Sequence, residues 1–180
     1  MITWSALRSR VDHVLRENRT LDASRPLMLV DSARQCLHWV KYDSKTSCSY
    51  PISTAKNGLG NRIDSFKTPT GIHRIWQKIG EGQPSGMIFK ARASSGQIAT
   101  NLDVRDRDEI TSRILWLDGL EAGINRDGDC DTRLRYIYIH GTSDEARIGS
   151  PVSAGCIRMT NADIITLFDQ IRVNDLVVIE

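Results

Sequence analysis

A histidine and a cysteine near the C-terminus have the side-chain types that nucleophilic catalysis needs. His140 ends an alternating segment, Arg135–His140, which predicts a strand with the imidazole at its rim. Cys156 lies sixteen positions further on and follows Gly155, where glycine permits a tight turn of the backbone. Consecutive N–H groups of such a turn can point at one acceptor beside the nucleophile, as an oxyanion hole requires.

The chemistry of such a pair depends on the pKa of the thiol. A free cysteine has a pKa of about 8.5, so only a few per cent of it is thiolate at neutral pH. An imidazole that takes the proton lowers this pKa by roughly 1–5 units, and a backbone carbonyl, such as that of Gly141, can hold the required tautomer. Spacing alone leaves a second interpretation open, in which His140 is a surface imidazole and Cys156 a small buried hydrophobic residue.

The elements that must position this pair are mostly short strands. Turn-forming residues separate the apolar segments, and the helical periodicity lies near the two chain ends. Residues 1–25 predict an amphipathic helix, and Thr160 begins a second helix that extends to about Ile171. The predicted strands are Leu27–Val30, Cys36–Tyr42, Tyr50–Thr54, Ile72–Ile79, Met87–Phe89, Arg113–Leu117, Arg135–His140 and Leu176–Ile179. This pattern predicts a mainly β fold with two flanking helices (α+β), as a β-sandwich or barrel.

The domain organisation follows from the length of 180 residues, which fits a single domain. We expect the helix of residues 1–25 to pack on a catalytic domain formed by residues 26–180. Within that domain, residues 80–134 are rich in glycine and charge and only partly strand-like. Such a segment is typical of a lid or binding insert.

Composition excludes several classes of function. The 24 Lys+Arg and 22 Asp+Glu residues nearly balance and aromatic residues make up 6%, which argues against a nucleic-acid-binding surface. No apolar stretch approaches the roughly 20 residues of a membrane-spanning helix. Charged residues interrupt every possible signal sequence in residues 1–25, so we expect a cytoplasmic protein whose four cysteines are free thiols.

Three other patterns imitate functional motifs but lack essential members. Asn125–Asp131 has the alternating acids of a calcium loop, but Cys130 stands where that loop requires glycine. Cys36 and His38 share a strand face without further metal ligands, and Gly58–Gly60 lacks the third glycine of a dinucleotide site. We therefore expect neither a metal nor a cofactor.

The basic residues of the insert have two interpretations. Most of them are expected on the solvated surface, and the alternative is that at least one binds a carboxylate of a substrate. The residues concerned are Lys90, Arg92, Arg105 and Arg107.

Several motifs, in order along the chain, resemble the signature of the L,D-transpeptidase catalytic-domain (YkuD-like) family. They are Pro51–Ala55, Lys67–Gly71, Ile139–Thr142, Ile148–Pro151 and Ser153–Met159. The resemblance covers roughly residues 26–180, and it implies the catalytic fold of that family.

The resemblance also implies a catalytic site. Cys156 takes the position of the family nucleophile and His140 that of its base, while the Gly141 carbonyl orients the histidine. The oxyanion hole falls on three consecutive backbone N–H groups, those of Ala154, Gly155 and Cys156.

Substrate contacts are implied with less detail. Arg158 matches an arginine beside the nucleophile and is expected near a substrate carboxylate, and Ser153 and Tyr138 are further candidates for substrate binding. In one departure, Ala154 stands where many members have histidine. The backbone donor remains there, and any role of a second imidazole is lost.

The implied substrate is a peptidoglycan stem peptide or muropeptide, cleaved between the L-centre of meso-diaminopimelate and the following D-alanine. If water resolves the acyl-enzyme, the protein is an L,D-carboxypeptidase of peptidoglycan recycling; if an amine resolves it, the protein is an L,D-transpeptidase that forms 3→3 cross-links. The expected cytoplasmic location favours hydrolysis. An inactive peptide-binding module, suggested by Ala154, is the alternative of another class. The resemblance further implies covalent inactivation by carbapenems.

Overall fold

The computed structural model describes residues 4–18, 21–22, 24–40, 46–99 and 108–180. The helices are α1 (Trp4–Glu17) and α2 (Asn161–Gln170). The strands are β1 (Leu27–Asp31), β2 (Cys36–Val40), β3 (Thr46–Pro51), β4 (Gly71–Ile79), β5 (Met87–Lys90), β6 (Ala93–Ile98), β7 (Ile110–Gly119), β8 (Tyr138–Thr142), β9 (Ile157–Met159) and β10 (Leu176–Ile179). Among these residues, no helix is long and apolar enough to cross a membrane.

Within the described ranges, the ten strands form one sheet. Its order is β3-β2-β1-β10-β4-β7-β5-β6, and β8 pairs with β7 while β9 pairs with β8. Most neighbours are antiparallel, but the pairs β1–β10 and β8–β9 are parallel. The sheet curls as a half-barrel, so the prediction of a mainly β fold with two flanking helices is confirmed.

The alternation of side chains along the strands gives the sheet two apolar faces, each covered by one helix. On β1, Met28 and Val30 belong to the core that contains α2, whereas Leu27 belongs to the core that contains α1. Where burial is described, the buried residues of the helices are Val11 and Val14 of α1 and Ile164, Leu167 and Phe168 of α2. A third apolar cluster, on the face away from α2, includes Cys156.

Helix α2 begins and ends on defined contacts, which fixes its position against β8. The Thr160 hydroxyl accepts a hydrogen bond from the Asp163 N–H at 3.1 Å and caps the first turn. At the other end, Lys78 Nζ donates to the carbonyl oxygens of Phe168 and Ile171, both at 2.6 Å. A cation is favourable there because the C-terminal carbonyls lack partners within the helix.

The segment 80–134 contributes more to the sheet than a lid would. It contains β7, which pairs with β4 on one side and with β8 on the other. The lid interpretation is therefore wrong for β7. The sequence predicts only Arg113–Leu117 of this strand, because the regular apolar alternation is confined to those residues. A bulge with Ser112 at φ 61° interrupts the residues before them.

The strand predicted at Arg135–His140 is displaced along the chain. Strand β8 begins only at Tyr138 and continues through Thr142. The reason is Tyr136, whose φ of 54° lies in the left-handed region and is incompatible with a strand. The displacement leaves His140 in the middle of β8, at 3% exposure, instead of at the rim.

The buried His73 on β4 should make the stability of the fold depend on pH. Its Nδ1 lies 3.1 Å from the Gly71 carbonyl oxygen and its Nε2 lies 3.1 Å from the Thr132 hydroxyl. Burial lowers the pKa of His73 from 6.5 to about 4. The neutral form is thus favoured in the folded state, and the stabilisation present above pH 6.5 is lost as the pH falls toward 4.

The expected loss from His73 is about 3 kcal/mol of unfolding free energy across that interval, since one pKa unit corresponds to about 1.4 kcal/mol. Denaturant titrations at pH 7.5, 6, 5 and 4 measure it, in the wild type and in His73→Gln. The variant should show a shallower decline toward acid pH. Parallel curves for the two proteins would contradict the assignment.

Candidate active site

The parallel pair β8–β9 brings the predicted nucleophile and base onto one face of the sheet. Ile139 lies opposite Ile157 and His140 lies opposite Arg158 in the register. Cys156 immediately precedes β9 and therefore lies beside Tyr138, two positions from His140. With strands about 4.8 Å apart and a rise of about 3.3 Å per residue, the Cα atoms of the pair are about 8 Å apart.

The backbone of the segment that enters β8 holds the sulfur of Cys156. The Tyr138 N–H donates to Sγ at 3.4 Å, and Sγ donates to the carbonyl oxygen of Tyr136 at 3.6 Å. Among the described contacts, none is a hydrogen bond between Sγ and the ring of His140. The thiol of the free protein is therefore directed at the backbone, and a rotation about χ1 is needed to turn it toward the imidazole.

The surroundings of Cys156 favour its protonated form. Burial raises the pKa of the Cys156 thiol to about 11, and the carboxylate of Asp108 acts in the same direction. The hydrogen bond from the Tyr138 N–H and the positive charges of Arg158 and Arg135 oppose this rise without cancelling it. The candidate nucleophile is thus favoured as a neutral thiol, which would need a base to act.

His140 is suited to be that base. Its Nδ1 lies 2.7 Å from the Gly141 carbonyl oxygen, and because a carbonyl only accepts hydrogen bonds, Nδ1 carries the ring proton. The other nitrogen, Nε2, then has a free lone pair. Burial lowers the pKa of His140, which keeps the imidazole neutral at neutral pH.

The position of Gly141 is too crowded for any side chain. A Cβ atom there would lie 2.7 Å from the carbonyl oxygen of Thr111 and 2.8 Å from Oδ1 of Asn161. Asn161 is the first residue of α2, and its Nδ2 donates to the carbonyl oxygen of Thr142 at 3.1 Å. Helix α2 and strand β7 thus pack closely against Gly141, the residue whose carbonyl oxygen contacts Nδ1 of His140.

The turn before the nucleophile is built around Ser153 and Gly155. Gly155 has a φ of 137°, a conformation that side chains disfavour, and its N–H donates to Ser153 Oγ at 3.2 Å. Ser153 Oγ in turn donates to the Cys156 carbonyl oxygen at 2.5 Å. The buried hydroxyl of Ser153 is thus engaged within the turn, and its contact with a substrate stays a prediction.

Two of the three predicted oxyanion donors remain free for a ligand. The Gly155 N–H is taken by Ser153, whereas the N–H groups of Ala154 and Cys156 have no acceptor among the described residues. Thr68 fixes the plane of this turn, since its hydroxyl donates to the Gly155 carbonyl oxygen at 2.9 Å. The arrangement can stabilise negative charge on an oxygen beside the sulfur.

Arg158 lies opposite His140 and is only 4% exposed. Its Nη2 forms an ion pair with Asp108, while Nε and Nη1 are buried without a hydrogen-bond partner in the described chain. Asp108 thus occupies the place that the resemblance gives to a substrate carboxylate. The sequence offered no sign of this pair, because the two residues are fifty positions apart.

Tyr138 forms a wall of the site instead of an open contact surface. Its ring is 5% exposed and meets Trp116 edge to face, with 5.7 Å between ring centroids. Its hydroxyl accepts a hydrogen bond from Arg92 Nη1 at 3.2 Å. Of the other basic residues proposed as carboxylate ligands, Lys90 is exposed on β5, and Arg105 and Arg107 lie outside the described residues.

Sequence reasoning missed two residues that position the site. Thr68 is one, although it lies in the Lys67–Gly71 motif. The other is Arg135, whose guanidinium donates to carbonyl oxygens of three residues and to one hydroxyl, those of Gly60, Asn61, Lys67 and Ser65. No local signal in the sequence distinguishes Arg135 from a surface arginine.

Comparison with solved structures shows the same fold in L,D-transpeptidases. A Mycobacterium smegmatis L,D-transpeptidase has a TM-score of 0.52 at 14% identity, with 87% of this chain and 58% of that chain covered. The L,D-transpeptidase of Xylanimonas cellulosilytica has a TM-score of 0.54 at 16% identity, with coverages of 88% and 62%. L,D-transpeptidase 3 of Mycobacterium tuberculosis, in complex with a faropenem-derived adduct, has a TM-score of 0.53 at 12% identity, with 86% of this chain and 60% of that chain covered.

The chain thus spans about 58–62% of the length of these structures. No curated protein sequence matches it. The model of the L,D-transpeptidase catalytic domain matches residues 25–179, which include every residue of the site described above. The chain belongs to the L,D-transpeptidase catalytic-domain (YkuD-like) family of cysteine-dependent enzymes.

Proposed function

We propose that the protein is an L,D-carboxypeptidase that removes D-alanine from diaminopimelate-containing peptidoglycan tetrapeptides through a cysteine acyl-enzyme. The observation that carries the proposal is the placement of Cys156 and His140 on one face of the β8–β9 pair, with the Gly141 carbonyl holding Nδ1 of the histidine protonated. A neutral thiol beside a neutral imidazole is a nucleophile with its general base.

In the acylation step, the Cys156 thiol turns from the Tyr136 carbonyl toward Nε2 of His140 and gives up its proton. The sulfur attacks the carbonyl carbon of the L-centre, and the N–H groups of Ala154 and Cys156 receive the developing oxyanion. When the intermediate collapses, the C–N bond breaks and His140 returns the proton to the departing D-alanine amine. A thioester on Cys156 remains.

In the deacylation step, His140 takes a proton from water, whose oxygen attacks the thioester. The C–S bond breaks, Cys156 recovers the proton, and the tripeptide leaves. Hydrolysis is the least demanding outcome, because transfer to an amine needs a bound second peptide. The alternative is 3→3 transpeptidation, which the family membership favours since the similar structures are named L,D-transpeptidases.

Two further parts of the proposal concern the cellular location of the protein and its inhibition by β-lactams. The cytoplasmic location and the role in peptidoglycan recycling stay predictions from residues 1–25. Covalent inactivation by β-lactams of the penem and carbapenem type is supported by the faropenem-derived adduct of the Mycobacterium tuberculosis enzyme and by imipenem bound to a second L,D-transpeptidase of TM-score 0.52.

Mass spectrometry of the products tests the proposal. Purified protein is incubated with a tetrapeptide that contains meso-diaminopimelate and ends in D-alanine. We expect free tripeptide and D-alanine in equal amounts. Cross-linked dimers in excess over tripeptide would replace hydrolysis by transpeptidation, and no turnover by the folded wild type would indicate the inactive peptide-binding module.

A further inference from the structure

The hairpin of β5 and β6 turns through two residues in an unusual conformation. Lys90 pairs with Ala93, so that Ala91 and Arg92 alone form the turn. Both have positive φ, 47° and 70°, which is the geometry of a type I′ turn. Asparagine and glycine are typical of such positions, and an alanine and an arginine are not. Contacts elsewhere must hold this turn, and those of Arg92 are the candidates.

The side chain of Arg92 reaches across the sheet to an aromatic cluster. Its guanidinium carbon lies 4.9 Å from the ring centroid of Trp116 and 5.0 Å from that of Tyr136. One of its nitrogens, Nη1, donates to the Tyr138 hydroxyl at 3.2 Å. The cation is thus positioned by two ring faces and one hydrogen bond.

The same two tyrosines hold the sulfur of the nucleophile. The Tyr136 carbonyl oxygen and the Tyr138 N–H lie 3.6 Å and 3.4 Å from Sγ of Cys156. Arg92 thus contacts the side chains of the two tyrosines, and the thiol of Cys156 contacts the backbone of the same two residues.

Charge distinguishes Arg92 from the other arginines near Cys156. Arg158 is buried and paired with Asp108, and Arg135 is engaged with oxygens of residues 60–67. Arg92 has no carboxylate partner among the described residues. A planar guanidinium that rests on aromatic rings keeps an edge of N–H groups free, and that edge matches the two oxygens of a carboxylate.

We propose that Arg92 binds the C-terminal carboxylate of the substrate, one residue beyond the bond that Cys156 cleaves. The inference rests on the proposed function and narrows its substrate class to peptides with a free terminal carboxylate. In such a peptide the carboxylate carbon lies three bonds, or less than about 4 Å, from the attacked carbonyl carbon. The cation available for that carboxylate is Arg92, held on Tyr138, whose N–H contacts Sγ of Cys156.

Peptide specificity gives the first test. The substrates are the tetrapeptide with a free terminal carboxylate and the same peptide with a terminal amide, and the enzymes are the wild type, Arg92→Gln and Lys90→Gln. Lys90 is the matched control, an exposed cation on the same hairpin. We expect the wild type and Lys90→Gln to cleave the peptide acid with a kcat/KM at least about 10-fold higher than that for the peptide amide. Arg92→Gln should lose this preference, because its kcat/KM decreases for the peptide acid and not for the amide.

Alkylation of the thiol gives a second test that needs no turnover. Iodoacetate carries a carboxylate, and iodoacetamide carries a neutral amide in its place. The protein is treated with an equimolar mixture of the two reagents and digested. The measured quantity is the ratio of carboxymethylated to carbamidomethylated Cys156 peptide. We expect Arg92→Gln to lower this ratio about 5-fold or more at Cys156, with Cys36 in the same digest as the unchanged internal control. Thermal melts show whether the variant is folded.

The two tests separate the two proposals. Equal cleavage of acid and amide by the wild type, or an alkylation ratio that Arg92→Gln leaves unchanged, would overturn the role of Arg92. An absence of cleavage with either peptide would overturn the proposed function, and a ratio lowered by Arg92→Gln would then still support carboxylate binding beside Cys156.

Discussion

Replacing Cys156 with alanine is expected to lower kcat/KM for D-alanine release by about 10⁴-fold or more, to the background of the assay. The thiol supplies the bond that carries the acyl group, and no other group in the site can form it. Release of D-alanine from the tetrapeptide, followed by a coupled oxidase or by mass, measures the loss.

The control for this variant is Cys36→Ala, which removes a partly buried thiol on β2. We expect it to retain activity within about 2-fold. A Cys156→Ala protein with more than a tenth of the wild-type rate would exclude a cysteine acyl-enzyme.

Replacing His140 with glutamine is expected to lower kcat/KM by about 10²–10⁴-fold, the usual contribution of a general base. In the wild type, activity should fall with decreasing pH, because a protonated imidazole cannot accept the thiol proton. Since burial lowers the pKa of His140, the midpoint of this fall should lie below 6.5. Activity should then stay level toward alkaline pH, since the pKa of the thiol is about 11.

The pH profile of the residual activity is the readout that a merely structural role of His140 would not change. The glutamine variant should lack the acidic decline expected of the wild type, while His13→Gln on the exposed side of α1 should retain it. A wild-type activity that decreases as the pH rises through 6 to 7 would contradict the neutral resting pair and indicate a thiolate–imidazolium pair instead.

The candidate reacting groups could be proposed from the sequence because the signals for them are local. A cysteine after a glycine and a histidine in an alternating segment make the two side chains candidates, and the motifs around them identify the family. Their approach depends on the pairing of β8 with β9, which are separated by a loop. Strand β9 has three residues, one of them Arg158, so periodicity does not reveal it.

The predicted substrate contacts of Ser153 and Arg158 stay predictions, and the structure adds what each side chain already binds. Ser153 and Arg158 are polar residues next to a nucleophile, which makes them candidates for ligand binding. In the structure the Ser153 hydroxyl bonds within its own turn, and Arg158 pairs with Asp108 through Nη2 while its Nε and Nη1 have no partner among the described residues. A residue type shows what a side chain can bind, and only the fold shows whether that capacity is already used.

The most direct test of Cys156 as the activated nucleophile is the intact mass of the protein after incubation with a carbapenem, with the modified residue then mapped by digestion. We expect the mass to increase by one carbapenem, located on the Cys156 peptide, absent from Cys156→Ala and formed much more slowly in His140→Gln. An unmodified wild-type protein, or an adduct on Cys36, Cys48 or Cys130, would contradict the assignment.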